Sequence, residues 1–390
     1  MTQKAYRYRF YPTAEQENLL RRTLGCTRLV YNRALFARTE GWYERQERIG
    51  YKETSALLTE WKKEEEFSFL NEVSSVPLQQ GLRHLQKAFT NFWAGRARYP
   101  NFKKKRNGGS AVFTKSAFRW KDGELLLAKC TEALPIRWSR QLPQGAEPST
   151  VTIKLEPSGR WFVSLLVDVE IDRLPVRSNK VGIDLGISSL VTLSTGEKVA
   201  NPKTFKAKYK RLRKAQKSLS RKSKGSNNRQ KARLKVAKLQ AEIADTRKDF
   251  LHKLTTQLVR DNQVIAVEDL AVKNMVQNHK LAQSISDASW GELVRQLEYK
   301  CEWYGRELIR IDRWFPSSKR CSSCGHIVEK MRLNVRDWVC PECGCHHDRD
   351  INAAINILAA GQAVSVCGAT VRPEESKSRK AGATKQKLRS

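Results

Sequence analysis

The sequence has 390 residues, which excludes a single small module and predicts two or three domains, each able to bury its own core. Its 73 Lys and Arg residues outnumber its 40 Asp and Glu residues and give a formal net charge of +33. An excess of this size suits a polyanionic partner, most often nucleic acid, and leaves a membrane surface as the alternative.

The N-terminal part of the chain alternates between strand and helix patterns. Residues 6–10 alternate aromatic and basic side chains, which predicts a half-buried strand, and a capping box from Thr13 to Gln16 begins a helix. Helical patterns continue to about residue 97. Short strand patterns then fill residues 98–178 and predict a small antiparallel sheet or barrel. The first ten residues lack an apolar core and a cleavage site, so no signal peptide is expected.

A second pattern begins at Lys180 and indicates an α/β domain. "VGIDLGI", "LVTLS" and "EKVA" predict a three-stranded meander, and long helices follow. The segments "VIAVEDL" and "LIRI" predict two more strands separated by a helix, so strands and helices share a mixed sheet. The stretch from Ile351 to Val371 has no charged residue and is long enough for a membrane-spanning helix. Its Asn, Gln and Gly residues instead favour a buried helix followed by a loop.

Four of the nine cysteines form two C-x-x-C pairs. Cys321, Cys324, Cys340 and Cys343 have the spacing C-x2-C-x15-C-x2-C, which predicts one structural Zn²⁺ with no open coordination position. Cys345, His346 and His347 are spare donors that could replace Cys343. The alternatives are free cysteines or a disulfide, but metal in a reducing cytosol fits these pairs better.

Three carboxylates stand at the ends of predicted elements. Asp184 and Glu268 each end an apolar strand, and Asp350 opens the helix that follows the cysteine module. Two of them have a simpler explanation, since Asp184 could pair with an arginine and Asp350 could cap its helix. If the three meet, their mutual repulsion predicts a divalent cation site, and two Mg²⁺ ions could support phosphodiester cleavage.

Basic residues concentrate in two segments. Residues 201–240 contain 16 Lys or Arg and no acidic residue, which predicts either a solvated helix face or a nucleic-acid surface. The second segment, residues 99–106, combines cations with aromatic rings suited to base stacking, and the alternative is a solvated loop. The nucleic-acid-binding candidates are Lys103, Lys104, Lys105, Arg106, Tyr99, Phe102, Lys210, Arg211, Arg213 and Lys214.

The motifs "VGIDLGI", "VIAVEDL", "FPSSKRCSSCG" and "CPECGCHHDRDINAAINIL" together resemble the transposon-encoded TnpB family, relatives of the type V CRISPR effectors. "RYPNFKKKR" and "QSISDASWGE" extend the resemblance over nearly the whole chain. It implies a multidomain α/β protein with an N-terminal, oligonucleotide-binding-like β-barrel into which a helical recognition domain is inserted. The implied domains are a wedge-like barrel (1–11 and 98–178), helical recognition domain (12–97), RNase H-like, RuvC-type nuclease (179–316 and 347–366), zinc ribbon (317–346) and disordered basic tail (367–390).

The resemblance also implies a function. Asp184, Glu268 and Asp350 would hold two Mg²⁺ ions, with Asp348 the weaker choice for the third carboxylate. A guide RNA from the transposon end would direct cleavage of double-stranded target DNA beside a short flanking motif. The expected location is the prokaryotic cytoplasm, associated with the nucleoid and with no membrane partner. The oligomeric state stays open, with one copy per RNA expected. A transposase joining strands and a non-cleaving RNA- or DNA-binding regulator are the alternatives.

Overall fold

The computed structural model describes residues 2–332 and 334–366, and these residues form two compact units. The first unit contains the described residues up to Asp172 together with residues 205–246. The second contains residues 173–204 and the described residues from Arg247 onward. The predicted tail, 367–390, lies outside the described residues. None of the described helices has the length and hydropathy needed to cross a membrane.

The first unit contains seven strands and a group of helices. Its strands are β1 (Thr2–Phe10), β2 (Gly109–Thr114), β3 (Phe118–Lys121), β4 (Glu124–Leu127), β5 (Ile136–Arg137), β6 (Pro148–Leu155) and β7 (Trp161–Val169). Its α-helices are α1 (Ala14–Arg45), α2 (Tyr51–Trp61), α3 (Ser75–Trp93) and α4 (Thr204–Ser220) with the first part of α5 (Asn227–Asp261). Single turns of 3₁₀-helix occur at Lys105–Asn107 and Lys115–Ala117, and a longer one at Glu65–Asn71.

The antiparallel sheet of the first unit has the order β2-β6-β7-β1-β5, and β3 and β4 form a separate pair. Strand β1 pairs with β7 along its whole length, from Thr2 opposite Val169 to Phe10 opposite Trp161. The alternation of residues 6–10 is explained by this pairing, because Tyr8 and Phe10 are buried in the core while the basic residues between them face outward.

Helices α1, α2 and α3 pack on one another around a second core. The predicted capping box begins α1, since the Gln16 backbone N–H donates to Thr13 Oγ1 at 3.3 Å and the Thr13 N–H donates to Gln16 Oε1 at 3.2 Å. Buried Leu35, Leu78 and Leu82 lie in the core that the three helices share. Burial of such side chains, more than helix propensity, holds these helices together.

The second unit is built on the sheet β10-β9-β8-β11-β12. Its strands are β8 (Lys180–Asp184), β9 (Ser189–Leu193), β10 (Lys198–Ala200), β11 (Val264–Glu268), β12 (Glu307–Ile311), β13 (Asp337–Val339) and β14 (His346–Asp348). Its helices are the remainder of α5, α6 (Val272–Met275), α7 (Ala282–Ala288), α8 (Trp290–Tyr304) and α9 (Arg349–Val366). Strands β8, β9 and β10 form the predicted antiparallel meander, while β11 runs parallel to both β8 and β12.

One grouping differs from the sequence prediction. Residues 205–246 belong to the first unit, although the sequence assigned them to the nuclease domain. Arg160 in the β7 region forms ion pairs with Glu156 and with Asp245 of α5, and Leu234 of α5 lies beside Gly159. These contacts join residues that are far apart in sequence. The basic composition of residues 201–240 alone therefore could not predict that this segment packs on the first unit.

Candidate metal centres and basic surface

Asp184 and Glu268 end neighbouring parallel strands of the second unit. Ile183 lies opposite Val267 in the register, so the next residues, Asp184 and Glu268, are side by side at the carboxyl ends of β8 and β11. Successive side chains in a strand point to opposite faces, which places both carboxylates on the same face as Gly182 and Ala266. That face is the one covered by α9.

Two close backbone approaches hold α9 against this face of the sheet. A Cβ atom at Gly182 would collide with the Ala354 carbonyl oxygen and lie 2.7 Å from the Leu358 amide nitrogen. A Cβ at Gly361 would lie 2.8 Å from the Ala266 Cβ. Glycine at both positions therefore lets α9 cross β8 and β11 closely, and the first turn of α9 carries Asp350.

The three carboxylates interact electrostatically. Burial, together with the negative charges of Glu268 and Asp350, raises the pKa of Asp184 to about 7, against opposition from Arg349 and Arg336. Burial also raises the pKa of Glu268. A half-buried set of carboxylate oxygens is the donor set that Mg²⁺ prefers, and a divalent cation would remove the repulsion that it carries.

Neighbouring side chains hold two of these carboxylates. The buried Ser317 hydroxyl donates to Glu268 Oε1 and opposes the rise in the pKa of that carboxyl. Arg336, immediately before β13, donates from Nη1 to Asp350 Oδ1 at 3.0 Å. The arrangement therefore brings a guanidinium as well as three carboxylates to one end of the sheet.

Asp348 and Asp269 are the acidic neighbours of this group, and each has other partners. Asp348 caps α9, because its Oδ1 accepts from the backbone N–H groups of Asp350 at 3.0 Å and Ile351 at 2.9 Å. Its other oxygen pairs with Lys198 Nζ at 2.6 Å. The alternative that Asp350 is the cap is therefore wrong. Asp269 forms ion pairs with Arg310 and Arg313.

The cysteine module forms a compact four-sulfur site. The four predicted sulfurs lie within 4.8 Å of one another, with Cys321 Sγ 3.6 Å from Cys343 Sγ and Cys324 Sγ 3.6 Å from Cys340 Sγ. Ligands about 2.3 Å from a tetrahedral zinc would be separated by nearly that distance. Gly325 and Gly344 follow the two pairs with positive φ, and their N–H groups donate to the Cys321 and Cys340 carbonyls, so two similar knuckles face each other.

The spare donors of this module have different positions. His347 Nε2 lies 3.0 Å from Cys321 Sγ, and its ring packs on Trp338 at a centroid distance of 4.9 Å. Burial raises the pKa of Cys321, but backbone amides of Cys324 and Ser323 and the His347 ring outweigh it and lower that pKa to about 5. A thiolate at this position is the form that a metal requires.

Two buried asparagines of α9 join the cysteine module to the helix that carries Asp350. Asn352 donates to the Arg320 carbonyl at 2.8 Å and accepts from the Ser322 N–H at 3.0 Å. Asn356 donates to the Ser317 and Arg320 carbonyls at 2.9 and 2.6 Å. The four-sulfur site and the carboxylates are thus parts of one hydrogen-bonded assembly.

The basic segments line two cavities in the first unit. One, of about 490 Å³, combines Lys104, Lys105 and Arg106 with Arg229 and Arg233 of α5. The other, of about 600 Å³, follows one face of α4 and is lined by Lys210, Arg213, Lys214, Lys217, Arg221 and Lys222. Within the part of the chain that the structure describes, no acidic side chain lines either cavity. Clustered cations without acidic neighbours favour a phosphate-rich partner.

The other predicted nucleic-acid residues lie elsewhere. Lys103 places its Nζ 3.9 Å from the Tyr31 ring centroid, and burial lowers its pKa. Tyr99 packs edge-on against Phe89 and Phe92, whereas Phe102 and Arg211 are exposed. Lys103 and Tyr99 therefore contribute to the packing of the helices as well as to the surface.

Three family models match the chain. A model described as a probable transposase matches residues 164–279, a Cas12f1-like TNB domain matches 290–357, and a helix-turn-helix domain matches 1–47. In this structure residues 1–47 contain a strand and one continuous helix.

Curated relatives match most of the chain. A Streptomyces pristinaespiralis protein named as a candidate RNA-guided DNA endonuclease is 60% identical over 96% of this chain and 94% of its own length. The chain belongs to the TnpB family. A similarly named Escherichia coli relative is 33% identical over 95% of both chains, and a TnpB-like protein of Acanthamoeba polyphaga mimivirus is 26% identical over 54% of this chain.

The fold of this TnpB-family chain is also similar to a solved structure. The Cas12f1 chain in a complex with single-guide RNA and target DNA superposes with a TM-score of 0.57 at 13% identity, over 91% of this chain and 98% of that one. The two chains therefore share a multidomain α/β fold although their sequences are only 13% identical.

Sequence reasoning missed four residues that this TnpB-family structure brings to the metal centres: Ser317, Arg336, Asn352 and Asn356. Ser317 and Asn352 lie inside segments that the sequence had marked as motifs, "FPSSKRCSSCG" and "INAAINIL". The two asparagines had a usable signal, because a polar residue at helical spacing in an uncharged apolar stretch requires a buried partner.

Proposed function

We propose that this protein is an RNA-guided DNA endonuclease. The observation that supports the nuclease assignment is that Asp184 and Glu268 end neighbouring parallel strands and that Asp184 interacts electrostatically with both Glu268 and Asp350. RNA guidance is inferred from the names of the relatives that match nearly the whole chain. The guide would pair with the target strand, while protein contacts would recognise backbone, shape and a short flanking motif.

The second unit is proposed to be the RNase H-like, RuvC-type nuclease domain. Its sheet has three antiparallel strands followed by two parallel ones, and the cysteine module is inserted between β12 and α9. That module is proposed to be a zinc ribbon holding one structural Zn²⁺. The sheet of the first unit would be the wedge-like barrel, with α1 to α3 as the recognition helices.

The carboxylates would hold two Mg²⁺ ions. Such ions supply an activated water and stabilise the leaving oxygen of a phosphodiester. Ser317 orients the Glu268 carboxylate through its hydroxyl. Arg336 lies against Asp350 and presents a guanidinium suited to a phosphate oxygen. Asp348, engaged by Lys198 and by the N-terminus of α9, fixes the helix that presents Asp350.

The two basic cavities of the first unit would bind the sugar-phosphate backbone. Six Lys or Arg side chains line the cavity along α4 and five line the other, which gives eleven in total. These linings give no base-specific pattern, which suits a protein whose sequence information comes from RNA pairing. Binding should weaken steeply as salt rises, because each neutralised phosphate releases counterions.

The proposal is tested with the protein expressed together with its flanking transposon DNA. RNA that copurifies is sequenced, and the complex is incubated with Mg²⁺ and plasmids that match or do not match the RNA-derived guide. The proposal expects a discrete RNA and cleavage of the matched plasmid only, leaving 5′-phosphate ends. Equal cutting of both plasmids, or cutting without RNA, would contradict it.

Strand transfer is the second candidate, because one matching family model is described as a probable transposase. A carboxylate-metal site on this kind of fold can join DNA as well as cut it. Incubating the same complex with donor and target DNA separates the two. Joined donor-target products would favour a transposase, and simple breaks favour the endonuclease.

A further inference from the structure

An aromatic cavity lies among the helices of the first unit, and it shares no described lining residue with either basic cavity. It has a volume of about 670 Å³ and is bounded by the end of α1, the end of α3 and Tyr99. Six aromatic side chains line it. They are Trp42, Tyr43, Phe92, Trp93 and Tyr99 together with the buried ring of Phe89. The volume falls within the range of roughly 300–1,000 Å³ that holds small organic ligands.

Several of these rings are exposed to an unusual degree. Tyr43 is 72% exposed, Trp93 63% and Trp42 42%. Trp93 rests on Phe89 at a centroid distance of 5.4 Å, while its outer face stays uncovered. Single exposed aromatic side chains are common on protein surfaces. Several large exposed rings around one concavity are not, and such a group marks a binding surface.

A buried arginine supplies charge to the same cavity. Arg38 is only 6% exposed, and its guanidinium stacks over Phe89 with Cζ 4.1 Å from the ring centroid. It donates to Gln86 Oε1 at 2.8 Å and forms no ion pair within the described residues. The charge of Arg38 interacts with Glu53 at longer range, but its hydrogen bond to a single amide oxygen leaves further N–H donors of the guanidinium for an anion.

Arg48 adds a second, exposed cation at the rim, with Cζ 5.7 Å from the Trp42 ring centroid. The acidic residue of the lining, Glu47, is already engaged by Arg45 through Oε2 and Nε at 2.9 Å. The cavity thus combines stacking faces with two cations and a neutralised carboxylate. Flat apolar faces beside cations are complementary to a nucleotide, which has a flat base and an anionic phosphate.

We propose that this aromatic cavity binds one unpaired nucleotide of a single-stranded nucleic acid, its base against Trp93 and Tyr43 and its phosphate toward Arg38 and Arg48. A paired base cannot enter, because both of its faces are occupied within the duplex stack. The inference rests on the proposed function only in taking its ligand from a nucleic-acid partner. It gives the helices of the first unit a specificity for strand state that the basic cavities lack.

The test measures binding by the full-length protein after bound RNA is removed at high salt. Fluorescence anisotropy compares a short oligouridylate with an RNA duplex of the same length. Trp93→Ala and Tyr43→Ala should each weaken oligouridylate binding by about tenfold, since stacking of one base contributes about 1–3 kcal/mol. Trp93→Phe should retain most of the affinity. Duplex binding should stay unchanged in all three variants.

Two further variants make the comparison specific. Phe36→Ala removes an aromatic ring that is 56% exposed on the same helix but outside the cavity, and should leave both affinities unchanged. Arg48→Gln should weaken oligouridylate binding and reduce its salt dependence by about one counterion. Circular dichroism melts confirm that each variant folds.

Three results would overturn the proposal. Trp93→Ala could leave oligouridylate binding intact, or it could weaken duplex binding equally. Sedimentation could instead show that the wild-type chain self-associates and that Trp93→Ala abolishes this, which would make a second copy the occupant. RNA-guided DNA cleavage is measured separately. If the protein cleaves matched DNA but Trp93→Ala does not selectively weaken oligouridylate binding, only the nucleotide-binding cavity is contradicted. If Trp93→Ala selectively weakens oligouridylate binding but the protein does not cleave DNA, only the proposed endonuclease is contradicted.

Discussion

The chemistry of Asp184 depends strongly on its surroundings. Its pKa rises from 3.8 to about 7 because the carboxyl is buried and faces Glu268 and Asp350. Between those pH values the folded protein retains a proton that the unfolded chain has released. The contribution of Asp184 to the stability of the metal-free protein therefore falls as pH rises from about 4 to about 7.

We predict that Asp184→Asn stabilises the metal-free protein at a pH of about 8, because the amide resembles the protonated carboxyl and adds no repulsion. The melting temperature should rise by about 2 °C or more there, and the difference should shrink near pH 4. Thermal melts measure this difference in melting temperature between the variant and the wild type. They are run without added Mg²⁺ and without a chelator, which would remove any metal bound by the cysteines. The exposed Asp168→Asn is the matched control and should change little at either pH. A lower melting temperature for Asp184→Asn at both pH values would contradict the electrostatic account.

Ser317 acts on Glu268 through one hydrogen bond, and so it is a positioning residue. Ser317→Ala should raise the Mg²⁺ concentration for half-maximal DNA cleavage by about tenfold while the maximal rate falls less, because the carboxylate loses its orientation but keeps its charge. A Mg²⁺ titration of cleavage rates measures this. Ser323→Ala, an exposed serine of the same module, should match wild type. An unchanged Mg²⁺ requirement in Ser317→Ala would remove Ser317 from the site.

At the scale of elements, the contact between β8 and α9 positions the third carboxylate. Gly182→Ala should push α9 away from the sheet, because the new methyl group meets the backbone of Ala354 and Leu358. We predict that cleavage falls by at least about tenfold and that stability falls by about 1–3 kcal/mol. Gly291→Ala in α8 has open space around it and should preserve both. Denaturant melts and cleavage rates of the two variants decide this, and full activity in Gly182→Ala would show that α9 can shift without loss.

The elements differ in how far the sequence could predict them. The apolar runs Val181–Ile183 and Val264–Val267 predict buried strands, and the structure contains β8 and β11 there, in parallel register. The capping box at Thr13 and the break between α4 and α5 were also visible in local sequence. Arg336 gave no comparable signal, because its partner Asp350 is 14 residues away on the other side of a hairpin and no local pattern links the two positions.

At the scale of the whole molecule, the sequence predicted two kinds of charged site, and these belong to different units. The first unit has two cavities lined by cations, with no acidic side chain among the described residues of their linings, and Asp184, Glu268 and Asp350 belong to the second unit. The spacing of residues 184, 268 and 350 could not show that they meet, since that depends on strand register and on α9. The family resemblance supplied the expectation, and Gly182 and Gly361 supply its physical basis.

The most direct measurement of the central claim compares Asp350→Asn with Asp348→Asn in the purified protein-RNA complex. Asparagine caps a helix as well as aspartate does, so Asp348→Asn should preserve α9 and cut matched DNA at close to the wild-type rate. Asp350→Asn should bind the same RNA and DNA yet lose cleavage by about a hundredfold or more. Cleavage that survives in Asp350→Asn, or that is lost equally in Asp348→Asn, would contradict the proposed carboxylate centre.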